Sequence, residues 1–83
     1  MSYIEVKRRF GLAIRQLRHE LGVSQEVLAK KAQIAGTYLT GVETGDRNPT
    51  LQNISRLAKA LGVPIADLFS INRDTQPAPP ARQ

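Results

Sequence analysis

The sequence SQEVLAKKAQIAGTYLTGVETG, residues 24–45, contains two short helical patterns with almost nothing between them. Ser24 stands where a helix N-cap is expected, directly before the first pattern. Apolar residues then follow the spacing of one helix face at Leu28, Ala29 and Ala32. The second pattern predicts a helix over 36–44, with Gly45 placed to end it. Two short helices joined by such a tight turn allow the second to protrude from the domain.

Three further helices are predicted around this pair. The first carries an apolar stripe at Val6, Phe10, Ala13, Ile14, Leu17 and Leu21 and ends at Gly22. The fourth follows the N-cap Thr50, carries Leu51, Ile54, Leu57, Ala58 and Leu61, and ends at Gly62. A brief fifth helix after Pro64 contains Ile65, Leu68 and Phe69. No strand pattern is found, so the sequence predicts an all-α domain of five short helices.

The last twelve residues differ in composition from the rest. NRDTQPAPPARQ, residues 72–83, has three prolines, no large apolar residue and no periodicity. We therefore expect a domain over 1–71 and a flexible proline-rich C-terminal tail over 72–83. A partner-binding arm is the alternative for this tail, although PAPP lacks the aromatic company of most proline-rich ligands.

Composition restricts the possible partners and chemistry. Twelve Lys and Arg against seven Asp and Glu give a net charge of +5, which favours a polyanionic partner, either nucleic acid or an anionic membrane. The absence of Cys and the single His19 argue against disulfides and multi-histidine metal sites. No apolar run approaches the ~20 residues of a membrane span, and charged residues occupy the N-terminus. We expect a soluble, cytoplasmic protein with no membrane partner.

The third predicted helix has two chemically different sides. With Leu39 turned inward and about 100° per residue, Val42 and Glu43 share its inner side. The opposite side collects Thr37, Thr40, Gly41 and Thr44, with Tyr38 on the flank. Threonine hydroxyls and methyls can meet base edges in a major groove, and Arg47 and Asn48 follow within reach of a phosphate or a base. An ordinary solvated helix face is the alternative.

Glu43 on the inner side requires a cation, because an unpaired buried carboxylate is costly. Arg18 lies on the last turns of the first helix, beside residues of its apolar stripe. The sequence therefore predicts a structural ion pair between Arg18 and Glu43 that locks the third helix to the first.

Residues 11–69 resemble the helix-turn-helix domains of the phage repressor and Cro type, the XRE group of transcription regulators. The resemblance is carried by LRHELGVSQEVLAKKA and TYLTGVETGDRNPTLQNISRLAKALGVPIADLF. It implies a five-helix, lambda-repressor-like domain that binds double-stranded operator DNA. Short chains with TYLTGVE and RN are most similar to the controller proteins of restriction-modification systems, which are dimeric regulators.

The resemblance also implies roles for individual residues. Gln25 matches a glutamine that contacts a backbone phosphate and braces the recognition helix, the alternative being a capping or solvent side chain. The groove-facing positions are Thr37, Tyr38, Thr40 and Thr44, although Tyr38 is equally compatible with a half-core position. Arg47 and Asn48 match the loop that grips DNA, and Arg18 and Glu43 match the internal ion pair of the family.

This chain departs from the family at the start and in the middle of the third helix. Gln33, Ile34 and Ala35 replace the usual Gly-Val-Ser, so the serine N-cap is absent, at a cost of ~1 kcal/mol. Gly36 and Gly41 stand where relatives commonly carry long polar side chains, and Gly41 costs roughly 1 kcal/mol relative to Ala. Close backbone approach to DNA would compensate for Gly41. Bidentate base readout then depends on the following loop, or specificity depends on DNA shape.

We expect a symmetric dimer that places two third helices in successive major grooves, about 34 Å apart. The expected dimer interface consists of Ile65, Leu68, Phe69 and Ile71, some of which must instead close the core. A surrounding positive field is expected from Lys7, Arg8, Arg9, Arg15, Lys30 and Lys31. RNA polymerase is a further candidate partner, either blocked or recruited by the bound dimer.

The sequence allows two rival functions, a protein-binding regulator and an enzyme. An antitoxin or phage-type repressor would have another protein as its main partner, but the short tail does not resemble a toxin-binding segment. Gly36 and Gly41 have phosphate-loop spacing, yet Val42 and Glu43 stand where Lys and Ser or Thr are required, and no strand precedes them. We therefore predict no enzyme activity, no catalytic residue, no metal, no cofactor and no small-molecule substrate.

Overall fold

The computed structural model describes residues 2–69, which form helices joined by short turns and loops. The α-helices are α1 (Tyr3–Leu21), α2 (Gln25–Ala32), α3 (Gly36–Thr44) and α4 (Leu51–Leu61), and a 3₁₀ turn covers Ile65–Phe69. No strand occurs within this part of the chain, so the all-α prediction is confirmed, with the expected fifth helix present as the 3₁₀ turn. The expectations for Ile71 and for the tail over 72–83 lie outside the described residues.

Most of the helix ends are satisfied by the residue types that favour them. Ser2, Ser24 and Thr50 each cap a helix by accepting a 3.1 Å hydrogen bond from the backbone N–H three residues later. Because Ser2 serves as a cap, α1 begins at Tyr3, three residues before Val6, the first residue of the predicted apolar stripe. Left-handed glycines end α1, α3 and α4 at Gly22, Gly45 and Gly62.

The α2–α3 turn, residues 33–35, has neither a glycine C-cap nor a serine or threonine N-cap. Gln33 ends α2 in the left-handed region at φ 61°, which is unfavourable for a residue with a Cβ. Ala35 precedes α3 and makes no side-chain cap hydrogen bond, as the sequence predicts. This turn is therefore the least stabilised junction of the domain.

One apolar core joins all of these elements. Its fully buried large residues are Ile14, Leu28, Leu39, Val42, Leu57 and Leu68. Leu68, expected either at the dimer interface or in the core, belongs to the core, because its side chain is 0% exposed where the 3₁₀ turn packs against α1 and α4. Ile65 and Phe69 remain exposed, and the Phe69 ring lies 5.2 Å from that of Phe10, between centroids.

Helices α1 and α3 approach each other most closely at Gly11. A Cβ at this position would overlap the carbonyl oxygen of Val42 and lie 2.6 Å from that of Glu43. These are backbone atoms, so no side chain can move aside to make room. The absence of a side chain at Gly11 thus determines how closely α3 can be drawn onto α1.

Within residues 2–69, no helix is both long enough and apolar enough to cross a bilayer.

Candidate nucleic-acid interface

Helix α3 is buried along one side and exposed along the other. Leu39, Val42 and Glu43 are 0%, 1% and 7% exposed, respectively. The exposed residues include Thr37, Thr40 and Thr44. The inner and outer sides are those that the helical wheel predicts, because the two apolar residues and the carboxylate share one side at helical spacing.

A buried ion pair holds α3 to α1. Arg18 and Glu43 form the predicted pair through two hydrogen bonds, Nε to Oε2 at 2.7 Å and Nη2 to Oε1 at 3.1 Å. Arg18 also donates from Nη1 to the carbonyl oxygen of Val23, at 3.0 Å, in the turn before α2. Such a two-point arginine–carboxylate contact restrains rotation as well as distance, so it orients α3 against α1.

Gln25 connects the start of α2 to the same carboxylate and to the exposed side of α3. Its Nε2 donates to Oε1 of Glu43 at 2.8 Å. An ionised carboxylate can only accept, so this bond determines which end of the amide faces inward. The amide oxygen then accepts from the hydroxyl of Thr40 at 2.9 Å. Gln25 therefore braces α3, and only the second N–H of its amide is left for an external acceptor.

The hydroxyl protons of two α3 threonines are directed toward the protein. The hydroxyl of Thr40 has Gly36 O, at 3.1 Å, as an alternative to Gln25. Thr44 donates to Gly41 O at 3.2 Å or to Asp46 Oδ2 at 3.3 Å. A hydroxyl has a single proton, so outside partners meet mainly the lone pairs of these two side chains.

Of the two positions that the sequence left open for Tyr38, groove-facing or half-core, the structure shows the half-core one. The side chain packs half-buried against the core, and its hydroxyl oxygen is buried without a hydrogen-bond partner within residues 2–69. The hydroxyl is thus not available to a base or a phosphate in this conformation, because the ring lies along the flank of α3. The guanidinium carbon of Arg47 lies 5.8 Å from the centre of the Tyr38 ring, within cation–π distance.

The loop after α3 folds back onto the helix. Gly41 O accepts hydrogen bonds from the backbone N–H groups of Asp46, at 2.8 Å, and Arg47, at 3.0 Å. The stem of Arg47 packs on Gly41 so closely that a Cβ on the glycine would overlap Arg47 Cγ. Arg47 consequently lies across α3 beside the exposed threonines, and Asn48 follows it, also exposed.

Two residues shape this surface in ways that the sequence did not predict: Arg8 was expected only as part of a surrounding positive field, and Gly11 had no assigned role. A Cβ at Gly45 would lie 2.9 Å from Cγ of Arg8, so the N-terminal half of α1 brings a cation to the loop after α3. Gly11 acts from beneath, by admitting the backbone of α3. Both contacts join distant segments of the chain, and no local pattern announces them.

Several basic residues make contacts within the protein or lie away from α3. Arg9 pairs with Glu5 at 3.3 Å, and the amine of Lys7 lies 4.9 Å from the centre of the Tyr3 ring. Lys31 instead lines a groove of about 880 Å³ between α2 and α4, together with Arg56 and Lys59. Within the described part of the chain, no cluster of His, Cys, Asp or Glu could hold a metal ion.

Comparisons with known proteins agree with this geometry. A helix-turn-helix family profile matches residues 14–68. The control protein C.MunI of Mycoplasma sp is 36% identical over 67 residues, covering 80% of this chain and 90% of the relative. The control protein C.BamHI of Bacillus amyloliquefaciens is 41% identical over 65 residues, covering 77% and 80%.

A solved structure extends the likeness to three dimensions. The restriction-modification controller protein C.AhdI from Aeromonas hydrophila superposes with a TM-score of 0.76 at 42% identity, covering 81% of this chain and all of that one. The family profile spans the whole α2–α3 pair and all of the buried apolar core except Phe10 and Ala13. The chain belongs to the XRE-type helix-turn-helix family of DNA-binding transcriptional regulators.

Proposed function

We propose that this regulator acts as a homodimer on a pseudo-palindromic operator, in the cytoplasm, as the controller of a restriction-modification locus. One observation carries the proposal: the threonine side of α3 is exposed, with Arg47 packed at its edge on Gly41 and Tyr38, while a buried ion pair holds the opposite side. In a two-fold dimer, two such helices enter successive major grooves about 34 Å apart. The narrower controller role is supported by the relatives named as control and controller proteins.

In this proposal, the loop and the helix read bases while their neighbours hold the backbone. Arg47 and Asn48 supply hydrogen-bond donors, and Thr37, Thr40 and Thr44 supply small side chains that allow close approach. The free N–H of Gln25 and the guanidinium of Arg8, whose stem packs beside Gly45, are expected to contact backbone phosphates. Tyr38 contributes by supporting Arg47 rather than through its hydroxyl.

The proposed dimer surface is the apolar area around the 3₁₀ turn. Ile65 and Phe69 are 48% and 57% exposed, and Val6 on the adjoining helix is 40% exposed. Burying these side chains against a second copy would remove apolar surface from water on both partners. A bound dimer would then block RNA polymerase or recruit it, depending on where the operator lies.

The test is selection of bound duplexes from a random pool, followed by footprinting and measurement of the protein's mass in the complex. Two inverted half-sites about one helical turn apart, occupied by two chains, are expected. A single unrepeated site, or retention of no duplex, would contradict the proposal. Stable co-purification of another protein in place of DNA would favour an antitoxin-type role.

A matched pair of variants then assigns the contact. Arg47→Ala should weaken operator binding by roughly 1 to 3 kcal/mol if the guanidinium reads a base. Lys59→Ala removes the same charge from the far end of α4 and should change affinity by much less. If Arg47 instead holds a phosphate, its removal should lower the slope of log affinity against log salt by about 1.

A further inference from the structure

The contact between Gly41 and Arg47 is unusual because it joins a helix interior to a loop side chain with no room between them. An added Cβ on Gly41 would overlap Arg47 Cγ and lie 3.4 Å from both Cβ and Cδ of the same side chain. The atoms concerned belong to the stem of the arginine rather than to its flexible end. The stem could avoid a methyl group at position 41 only by leaving its present rotamer.

A change of rotamer at the stem would move the guanidinium by several ångströms, because Cγ is the first atom placed by χ1 and three more bonds extend beyond it. The guanidinium now lies over the Tyr38 ring. The backbone of the loop would not have to move, since the N–H groups of Asp46 and Arg47 bond to the carbonyl oxygen of Gly41, which any residue supplies. The effect of a side chain at position 41 is thus confined to the direction of one arginine.

We propose that Gly41 is a positioning residue for DNA recognition. Because Gly41 has no side chain, the Arg47 stem packs directly on α3, and the Tyr38 ring then holds the guanidinium beside the exposed side of the helix. The inference rests on the proposed function, in which Arg47 contacts the operator. It replaces close approach of the Gly41 backbone to DNA as the reason for a glycine in the middle of α3. Glycine has a lower helix propensity than alanine, and in this proposal that cost is offset because Arg47 in the loop can contact the bases.

If Gly41 positions Arg47, its substitution should weaken DNA binding without lowering stability. A glycine needed only for the fold would affect both properties together. Alanine is the better helix former, so Gly41→Ala should leave the melting temperature unchanged or raise it. The same substitution should weaken binding to the selected duplex by roughly 5- to 150-fold, the range expected for loss of one base-reading arginine. Gly36→Ala is the matched control for stability, because its methyl group, also on α3, meets no atom within 4 Å.

The decisive measurement is a double-mutant cycle on the duplex recovered with the wild-type protein, using Gly41→Ala, Arg47→Ala and the pair together. We expect Gly41→Ala to cost nothing further, within about twofold, once Arg47 is absent. The Arg47 side-chain Nε–H resonance of the free protein should shift in Gly41→Ala and stay in place in Gly36→Ala. Any effect of Gly36→Ala on binding should be the same with and without Arg47.

Each failure has a distinct meaning. If Gly41→Ala weakens binding equally with and without Arg47, the methyl group contacts DNA directly. Gly41 then does not position Arg47, while the proposed function stands. If Gly41→Ala binds as the wild type does although Arg47→Ala does not, Gly41 again does not position Arg47. If Arg47→Ala itself binds normally, the proposed role of Arg47 fails, and the inference fails with it.

Discussion

The two ends of α3 are held in opposite ways. Its C-terminal half is held by the buried Val42, by the Arg18–Glu43 pair and by a left-handed glycine that directs the loop back onto Gly41. Its N-terminus follows Gln33, strained at φ 61°, and Ala35, which offers no cap. The comparison shows that the orientation of this helix comes from buried tertiary contacts and not from local preferences at its start.

The largest expected effect is on the strong end. Glu43→Ala leaves Arg18 buried without its countercharge and should lower the free energy of unfolding by roughly 3 to 5 kcal/mol. Urea denaturation followed by circular dichroism measures the loss. The double variant Arg18→Met with Glu43→Leu removes both charges and should lose less than half as much, and equal losses would mean that the ion pair is not the cause.

Breaking the α1–α3 crossing should cost somewhat less. Gly11→Ala forces the two backbones apart and should lower the free energy of unfolding by roughly 1 to 3 kcal/mol. Gln16→Ala, an exposed change on the same helix, serves as the control and should stay within about 0.5 kcal/mol. A Gly11→Ala variant as stable as this control would show that α3 is not anchored by close approach.

The weak end can be strengthened at its left-handed residue. Gln33→Gly removes the strain of a Cβ at positive φ and should raise the free energy of unfolding by roughly 1 kcal/mol. Gln33→Ala keeps the Cβ and should bring no comparable gain. If both variants behave alike in thermal unfolding, the strain at Gln33 is not what weakens the turn.

The smallest expected effect is the missing cap. Ala35→Ser supplies an acceptor for the free N–H groups at the start of α3 and should stabilise the protein by ~1 kcal/mol at most. Ala35→Val, which adds a side chain but no acceptor, should not. Amide hydrogen exchange in the first turn of α3 should slow only in the serine variant, and unchanged exchange there would argue against capping as the deficiency.

Local patterns predicted most of the fold because most of this fold is local. Helix bounds, glycine ends and the two sides of α3 follow from spacing and capping, and even the Arg18–Glu43 pair follows from asking what a buried carboxylate requires. The placement of Leu68 and Tyr38 did not follow, since a small core takes whatever apolar surface closes it. The contacts of Gly11, Gly41 and Arg8 depend on how separate segments cross, which spacing along one helix does not encode.

The bond from Gln25 to Glu43 has a consequence for sequence preference. Because the carboxylate orients the amide, the Thr40 hydroxyl donates to Gln25. The Thr44 hydroxyl likewise donates within the protein, so both oxygens are left as acceptors. Along the floor of a major groove, such oxygens complement the exocyclic amino groups of adenine and cytosine, whereas guanine edges, rich in lone pairs, call for the guanidinium. In the proposed complex, we therefore expect half-sites with adenine or cytosine opposite α3 and guanine opposite the loop.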